Sequence, residues 1–361
     1  MKKILFTLVI LVVGVLFYNN RRGEKPTVIP AVNETQFPLA LPNGFSISIV
    51  AKDLGDPRVL AWDPKGTLLV SIPSQGKVVA IGATQITVVS GLNRPHGIAF
   101  LGQTLYIAET NQVAMYDYDL QTKRASNKKK IIDLPAGGNH ITRTIGFGPD
   151  KNLYISVGSS CNVCIDDERR AKILVYTDRG ITDYATGLRN SVFFTWHPTT
   201  QELWATEMGR DLIGDNIPPD EVNIIKEGSF YGWPYCYGKN VQDKTFSPTQ
   251  SCDKATPSYI DLQAHSAPLG LAFIPSSWPA QYRDDLLVAF HGSWNRSEPT
   301  GYKVVRMKLD VQGNYEATED FITGWLAEGS ALGRPVDLLF GPDGALSISD
   351  DKAGVIYRIT H

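Results

Sequence analysis

The feature that most constrains this chain is a repeated unit of two short strands around a tight turn, plainest at residues 137–164, GGNHITRTIGFGPDKNLYISVGSSCNVC. A small loop carrying a polar residue leads into an apolar strand at 144–147, a Gly-Pro-Asp turn at 148–151 and an alternating strand at 153–157. The hydrophobic face of one such unit is too small to bury alone, so the unit must stack on copies of itself. Related segments begin at Pro57, Arg94, Thr142, Arg189, Ala267 and Arg334. Six repeats of this kind predict an all-β protein, a six-bladed β-propeller. A lone strand at 45–51 precedes the first full repeat, and the last repeat ends at 356–359 with no room for further strands. The N-terminal strand is therefore expected to complete the final blade, removing two exposed edges at once.

Composition agrees: 43% hydrophobic residues in 361 can bury a large core, and 32 Gly with 22 Pro and few long amphipathic runs favour strands over helices. The formal net charge of -2 gives no general attraction to nucleic acid or to an anionic membrane. The N-terminus stands apart. Lys2 and Lys3 precede an unbroken apolar run at 4–18, and Arg21 and Arg22 follow it. Residues 1–22 are read as a signal or membrane anchor segment. The run is short against the roughly 20 apolar residues of a spanning helix, yet no small-x-small cleavage site follows, which favours an uncleaved anchor over a cleaved peptide. Residues 23–41 read as a linker holding the body, 42–361, off the membrane. The expected location is outside the cytoplasm, periplasmic or at the cell surface, with membrane association through the N-terminal segment.

In an exported protein the four cysteines suggest two disulfides, and their spacing proposes Cys161 with Cys164 and Cys236 with Cys252, although four cysteines allow three connectivities. A zinc site is the alternative, disfavoured because the second pair is not Cys-x-x-Cys and the compartment is oxidising. CNVCI lacks the histidine that c-type haem attachment needs.

The loops leading into the innermost strands of a propeller converge near its central channel. Here they carry Arg58, His96, His140 with Arg143, Arg189 with Asn190, His265, and Arg334 with Asp337. Such a concentration of arginine and imidazole suits an anionic ligand or cofactor; the plainer reading is that these groups cap strand ends. His140 is the candidate base, since imidazole titrates near neutrality. His291 opens a long polar loop and is a further pocket candidate, whereas His197, in a TWHPTTQ turn, reads as structural. The acidic stretch 207–236 offers Asp211, Asp215, Asp220 and Glu221 as hard oxygen donors suited to calcium, without EF-hand spacing. The insertions after Asp211 and after Asn295 are expected to build the binding mouth.

At these residues the chain resembles the glucose/sorbosone dehydrogenases, soluble-type quinoproteins that use pyrroloquinoline quinone (PQQ) and Ca2+ on a six-bladed propeller, and within them the sorbosone dehydrogenase branch. The likeness is carried, in order, by LPNGFSI, GLNRPHGIAF, the 137–164 segment, YATGLRNSVFFTWHP, ELWATEMGRD, PPDEVN, FYGWPYC, HGSWNRS and GRPVDLLFGPDG. The resemblance implies oxidation of an aldose sugar or sugar-derived aldehyde, with electrons passed on to a membrane-side acceptor. It implies that His140 is the base, that Arg189 polarises the quinone carbonyl, and that Asn190 and Arg334 hold the cofactor; His265, Arg143 and His96 are further contact candidates from their places in the channel loops. It places an active-site calcium on the carbonyls of Gly209 and Arg210, and a second, structural calcium at Glu221 and the carbonyl of Tyr231. Two departures stand out: Ser159 replaces an aspartate that supports the histidine, and Arg210 replaces a proline. The competing functions are a calcium-dependent lactonase-type hydrolase, whose site would bring metal-binding carboxylates into the channel, and a non-catalytic propeller binding a glycan or protein.

Overall fold

The computed structural model describes residues 29–246 and 251–361. Its strands form six blades, each an antiparallel sheet with sequential strands as neighbours. Blade 1 comprises Leu60–Trp62, Leu68–Ile72, Lys77–Ile81 and Ile86–Ser90; blade 2, Ile98–Leu101, Thr104–Glu109, Gln112–Asp119 and Arg124–Asp133. Blade 3 is Ile145–Phe147, Leu153–Val157, Lys172–Thr177 and Gly180–Thr186; blade 4, Phe194–Trp196, Leu203–Glu207, Asp220–Ile225 and Ile260–Leu262. Blade 5 is Pro268–Phe273, Leu286–Phe290, Lys303–Leu309 and Tyr315–Ile322. Blade 6 begins with Pro335–Phe340, Leu346–Asp350 and Val355–Thr360.

The second strands are buried at every position in blades 1, 3, 4, 5 and 6. A blade is covered on both faces by its neighbours, so strict alternation gives way to continuous burial there. Polar residues on these strands must find partners inside. Ser71 Oγ accepts from the Val59 amide, and Ser349 Oγ accepts from the Asp337 amide while donating to the Arg58 carbonyl.

Closure follows the expectation: Ser46–Ala51 pairs antiparallel with Val355–Thr360, so the last blade is built from both ends of the chain. Phe45 and Ile47 pack with Trp278, Trp325 and Tyr357 in one buried cluster that seals the seam. The expected linker needs correcting over its second half. Val32–Asn33 adds a parallel strand beside Ser46, Leu39 is buried, and Ala40 bridges to Thr323. Asn33 Nδ2 donates to the carbonyls of Phe37 and Leu39, folding the segment onto the propeller rather than leaving it extended. Residues 1–22, read as a signal or anchor, lie outside the described residues; among the described residues no helix is long and apolar enough to cross a membrane.

Both proposed disulfides are present, Cys161–Cys164 and Cys236–Cys252. The second staples a small hairpin, Cys236–Tyr237 with Val241–Gln242, inside the blade 4 insertion.

Candidate active site

Loops from blades 3 to 6 enclose a cavity of about 250 Å³. His140, Arg189, Asn190, His265, His291 and Arg334 line it, together with Gly209, Asp211, Asp220, Trp294 and Asn295. The two insertions form its mouth as expected, and they are laced together: Asn295 Nδ2 donates to Asp211 (3.0 Å), and the Ser297 amide donates to Asp215.

His140 is held as a neutral imidazole. Its Nδ1 donates to the Ser159 carbonyl (2.8 Å), which fixes the tautomer and leaves Nε2 with its lone pair. Burial, assisted by the nearby Arg189 charge, pushes its pKa down to about 4. The serine that replaces an aspartate thus supports the histidine through its main chain, while its Oγ turns to the Cys161 carbonyl. Gly158 permits this packing, because a Cβ there would lie 2.7 Å from both His140 Cβ and Asn190 Oδ1.

Arg189 is held by four neutral acceptors. Nε and Nη2 donate to the Asn162 carbonyl and Oδ1 (both 3.0 Å), and Nη1 to the carbonyls of Gly209 (2.8 Å) and Met208 (3.1 Å). Its nearest carboxylate oxygen is on Asp211, at 3.7 Å. Arg334 donates to the carbonyls of Gly292 and Ser293 and to the Tyr302 hydroxyl, and enters no ion pair among the described residues. Arg334 therefore faces the cavity with no ion pair among the described residues, and Arg189 with Asp211 alone in ion-pair range, a setting that attracts an anion.

The remaining imidazoles are tied into the walls. His265 Nε2 contacts the Gly214 carbonyl (2.8 Å) and Nδ1 lies 3.7 Å from Asp211; its backbone is left-handed at φ +67°, an uncommon state for a residue with a side chain. His291 Nε2 meets Asp351 (2.9 Å), which also pairs with Arg58 (2.6 Å), so this carboxylate is held well below its ordinary range. Asp351, Asn162 and Asn295 escaped sequence reasoning. Their signal was adjacency to recognisable motifs: Asn162 lies inside the Cys-x-x-Cys and Asn295 inside HGSWNRS.

Several expected contacts are corrected. Arg143 is fully buried, and its guanidinium is used on the carbonyls of Pro135, His140 and Thr142, so it braces the His140 loop instead of lining the cavity. His96 is buried against Phe193 and is not among the cavity residues. Asp337 accepts from the amides of Leu60 and Leu338, a strand-capping role. The four acidic residues proposed as donors, Asp211, Asp215, Asp220 and Glu221, do not converge on one point. Asp215 ties the mouth loops, and Asp220 accepts from the amides of Gly209 (2.9 Å) and Ala267 (2.8 Å). Among the described residues the one close set of three potential metal ligands is Cys161, Cys164 and Asp166, and those two thiols are already joined. His197 is structural as expected, its Nδ1 accepting from the amides of Thr199 and Thr200.

A second, small void of about 30 Å³ lies behind Arg189, lined by Gly209, Arg210, Tyr231 and two buried carboxylates, Glu207 and Glu221. Burial pushes Glu207 up to about 8, repulsion from Glu221 adding to it, and pushes Glu221 up to about 7, with Asp261 adding. A bound cation would relieve both, and carbonyl and carboxylate oxygens are the donors calcium prefers. The arginine in place of proline does not oppose this, because Arg210 Nη1 turns to Asp243 (2.7 and 3.0 Å), which neutralises it.

A family model of the TrAA12-like proteins matches residues 39–361. The chain belongs to the TrAA12-like family. An uncharacterized protein of Borreliella burgdorferi is 32% identical, over 91% of this chain and 92% of that one. The pyrroloquinoline quinone-dependent pyranose dehydrogenase of Coprinopsis cinerea is 28% identical over 91% of this chain, which spans 56% of the length of that relative. Among solved structures, the calcium structure of the Trichoderma reesei AA12 enzyme superposes with a TM-score of 0.80 at 21% identity, covering 91% of this chain and 99% of that one. At that identity the likeness shows the shared propeller. TrAA12-like membership accords with the family resemblance read from the sequence motifs.

Proposed function

We propose that this TrAA12-like chain is a PQQ-dependent sugar dehydrogenase that oxidises an aldose or a sugar-derived aldehyde. The observation that carries the reading is the pairing, across one cavity, of a neutral imidazole whose Nε2 is free with two arginines whose hydrogen bonds all go to neutral acceptors. The Coprinopsis relative's dependence on the same cofactor supports it. Arg334 and Asn190 would hold the tricarboxylate cofactor. Calcium would sit on the carbonyls of Gly209 and Arg210, with a second ion at Glu221 and the Tyr231 carbonyl. When bound, the quinone supplies the two-electron acceptor.

The chain's own part is acid–base and electrostatic. His140 Nε2 takes the proton from the sugar hydroxyl while its Nδ1–H stays on the Ser159 carbonyl, so positive charge developing on the ring meets an acceptor already in place. Arg189, fixed by four hydrogen bonds, offers a preorganised positive charge to an oxyanion forming opposite the base. Asp211 and Asp220 also line the cavity, but main-chain amides occupy Asp220 and Asn295 binds Asp211, which does not suit the open carboxylate cage of a lactonase. We further propose an exported protein, tethered by residues 1–22, that delivers electrons to a membrane-side acceptor.

The test is reconstitution of the purified protein with PQQ and calcium, following dye reduction over a panel of aldoses and aldehydes beside His140→Ala. Cofactor-dependent turnover that the variant abolishes supports the reading. Absence of quinone binding at micromolar concentration with calcium present overturns it.

A further inference from the structure

The geometry points to Asn162, one of the two residues enclosed by the Cys161–Cys164 disulfide, as the positioning residue that orients Arg189 through neutral acceptors. A guanidinium edge formed by Nε and Nη2 is the fork a carboxylate usually fills, with two parallel hydrogen bonds and a cancelled charge. Here the same edge is filled by a single asparagine, its main-chain carbonyl on Nε and its Oδ1 on Nη2, both at 3.0 Å. The fork is satisfied by neutral atoms, and Asp211, 3.7 Å from Nη2, is the one carboxylate in ion-pair range among the described residues. An aspartate at this place could keep both acceptor contacts to Arg189, at the expense of the charge and of the bond that Nδ2 donates to the Asp211 carbonyl.

Asn162 can act this way because it is itself held on three sides. Oδ1 also accepts from the Asp211 amide (2.8 Å), and Nδ2 donates to the Asp211 carbonyl (3.2 Å), so the side-chain amide pairs with the main chain of the mouth loop. The disulfide closes the turn around it, with a Cα–Cα distance of 6.1 Å. Upstream, Ser160 donates to Asp166 through its amide (2.6 Å) and hydroxyl (2.7 Å). Ser159, one residue earlier, is the acceptor for His140. One short segment thus sets the orientation of both the base and the arginine that faces it, and the disulfide stiffens that segment. This inference rests on the proposed dehydrogenase reading for its catalytic consequence, though not for the contacts themselves.

The test uses the full chain with three changes: Asn162→Ala, Asn162→Asp, and the double change Cys161→Ser with Cys164→Ser. The first readout needs no cofactor. With 15N-labelled arginine, the Arg189 Nη2–H resonance, whose acceptor is the Asn162 side chain and which is assigned by its loss in Arg189→Lys, should exchange slowly in the wild type and in Asn162→Asp. In Asn162→Ala and the double serine variant it should exchange roughly tenfold faster or more, as loss of a hydrogen bond to a charged donor implies. Unchanged exchange in Asn162→Ala would overturn the proposal whatever the cofactor does. The second readout uses PQQ and calcium with D-glucose. Asn162→Ala should lower kcat about 10- to 100-fold with the KM for sugar little changed. Asn162→Asp should keep the exchange protection yet weaken PQQ binding about tenfold or more by neutralising Arg189. An Asn162→Asp protein that binds PQQ as tightly as the wild type would refute orientation without neutralisation. A wild type that shows slow exchange but binds no PQQ would sink the dehydrogenase reading and leave the positioning role standing.

Discussion

Removing the charge of Arg334 tests the anion-binding cavity most directly. Its guanidinium contacts only neutral groups, the carbonyls of Gly292 (3.1 Å) and Ser293 (3.3 Å) and the Tyr302 hydroxyl (3.2 Å), and it lies over the Tyr302 ring at 5.2 Å. In Arg334→Met the stem volume is kept and the charge is lost. At an effective dielectric of about 20, two unit charges about 4 Å apart attract by about 4 kcal/mol, and partial solvent exposure at the cavity wall reduces this to about 2–3 kcal/mol. The Kd for PQQ should therefore rise about 30- to 150-fold, and Arg334→Lys, which keeps the charge but loses the fork, should fall between. Titration of tryptophan fluorescence with PQQ at fixed calcium measures it, and raised salt should shrink the wild-type advantage. Folding should be little affected, by about 1 kcal/mol, because the lost partners are neutral and one of them, the Ser293 carbonyl, already accepts from Tyr302. A melting curve separates the two effects. If the methionine variant melts like the wild type and binds PQQ within threefold of it, Arg334 is not a cofactor anchor and the electrostatic argument fails.

Three further outcomes are expected. His140 should titrate near pH 4 in the apoprotein, well below the ordinary 6.5, as read from its imidazole NMR signals. Because the folded value is depressed, the native state binds fewer protons than the unfolded chain between these values. The contribution to stability is full above about pH 6.5 and is lost as pH falls toward 4, so wild type should lose up to about 2 kcal/mol more than His140→Gln between pH 7.5 and 5 in urea unfolding. Calcium at about 100 times its Kd should stabilise the wild type by about 2.7 kcal/mol, and Glu221→Gln should remove most of that increment in a thermal melt. Replacing Cys236 and Cys252 by serine should cost about 3 kcal/mol, as a closed loop of this length implies, while leaving His140 and Arg189 in place; a collapse of PQQ affinity would contradict that separation.

The fold was legible because its information is local and repeated. Each strand–turn–strand unit carries its own turn chemistry, and the apolar strands between them admit no helical period, so the repeat count and the sharing of the last blade by both chain ends follow from the order of residues. Both cysteine pairings were read correctly from spacing and compartment. His140, Arg189, Asn190, His265 and Arg334 were legible as cavity residues because each lies in the loop that leads into the innermost strand of its blade.

Position in a repeat, however, does not say which way a side chain turns. Arg143 and His140 share one loop, yet only the histidine lines the cavity, because three main-chain carbonyls with no other donor claim the guanidinium. The acidic stretch looked like one calcium loop, but Asp215 and Asp220 are drawn to separate amide groups, and Glu207 pairs with Glu221 only because neighbouring strands bring them to one void. Residues 32–40 read as linker because nothing in their composition shows a partner; the partner is the edge of Ser46–Ala51, set in place when the ring closes. Asn162 is the clearest instance. Its sequence shows only the filling of a Cys-x-x-Cys, and its role depends on Arg189 and Asp211, which are distant in the chain and are brought to it by the packing of blade 3 against blade 4. What the sequence determined is the propeller, its closure, its disulfides and the set of groups offered to the channel. Tertiary structure decided which of those groups keep their charge free, since that depends on long-range partners no local pattern encodes.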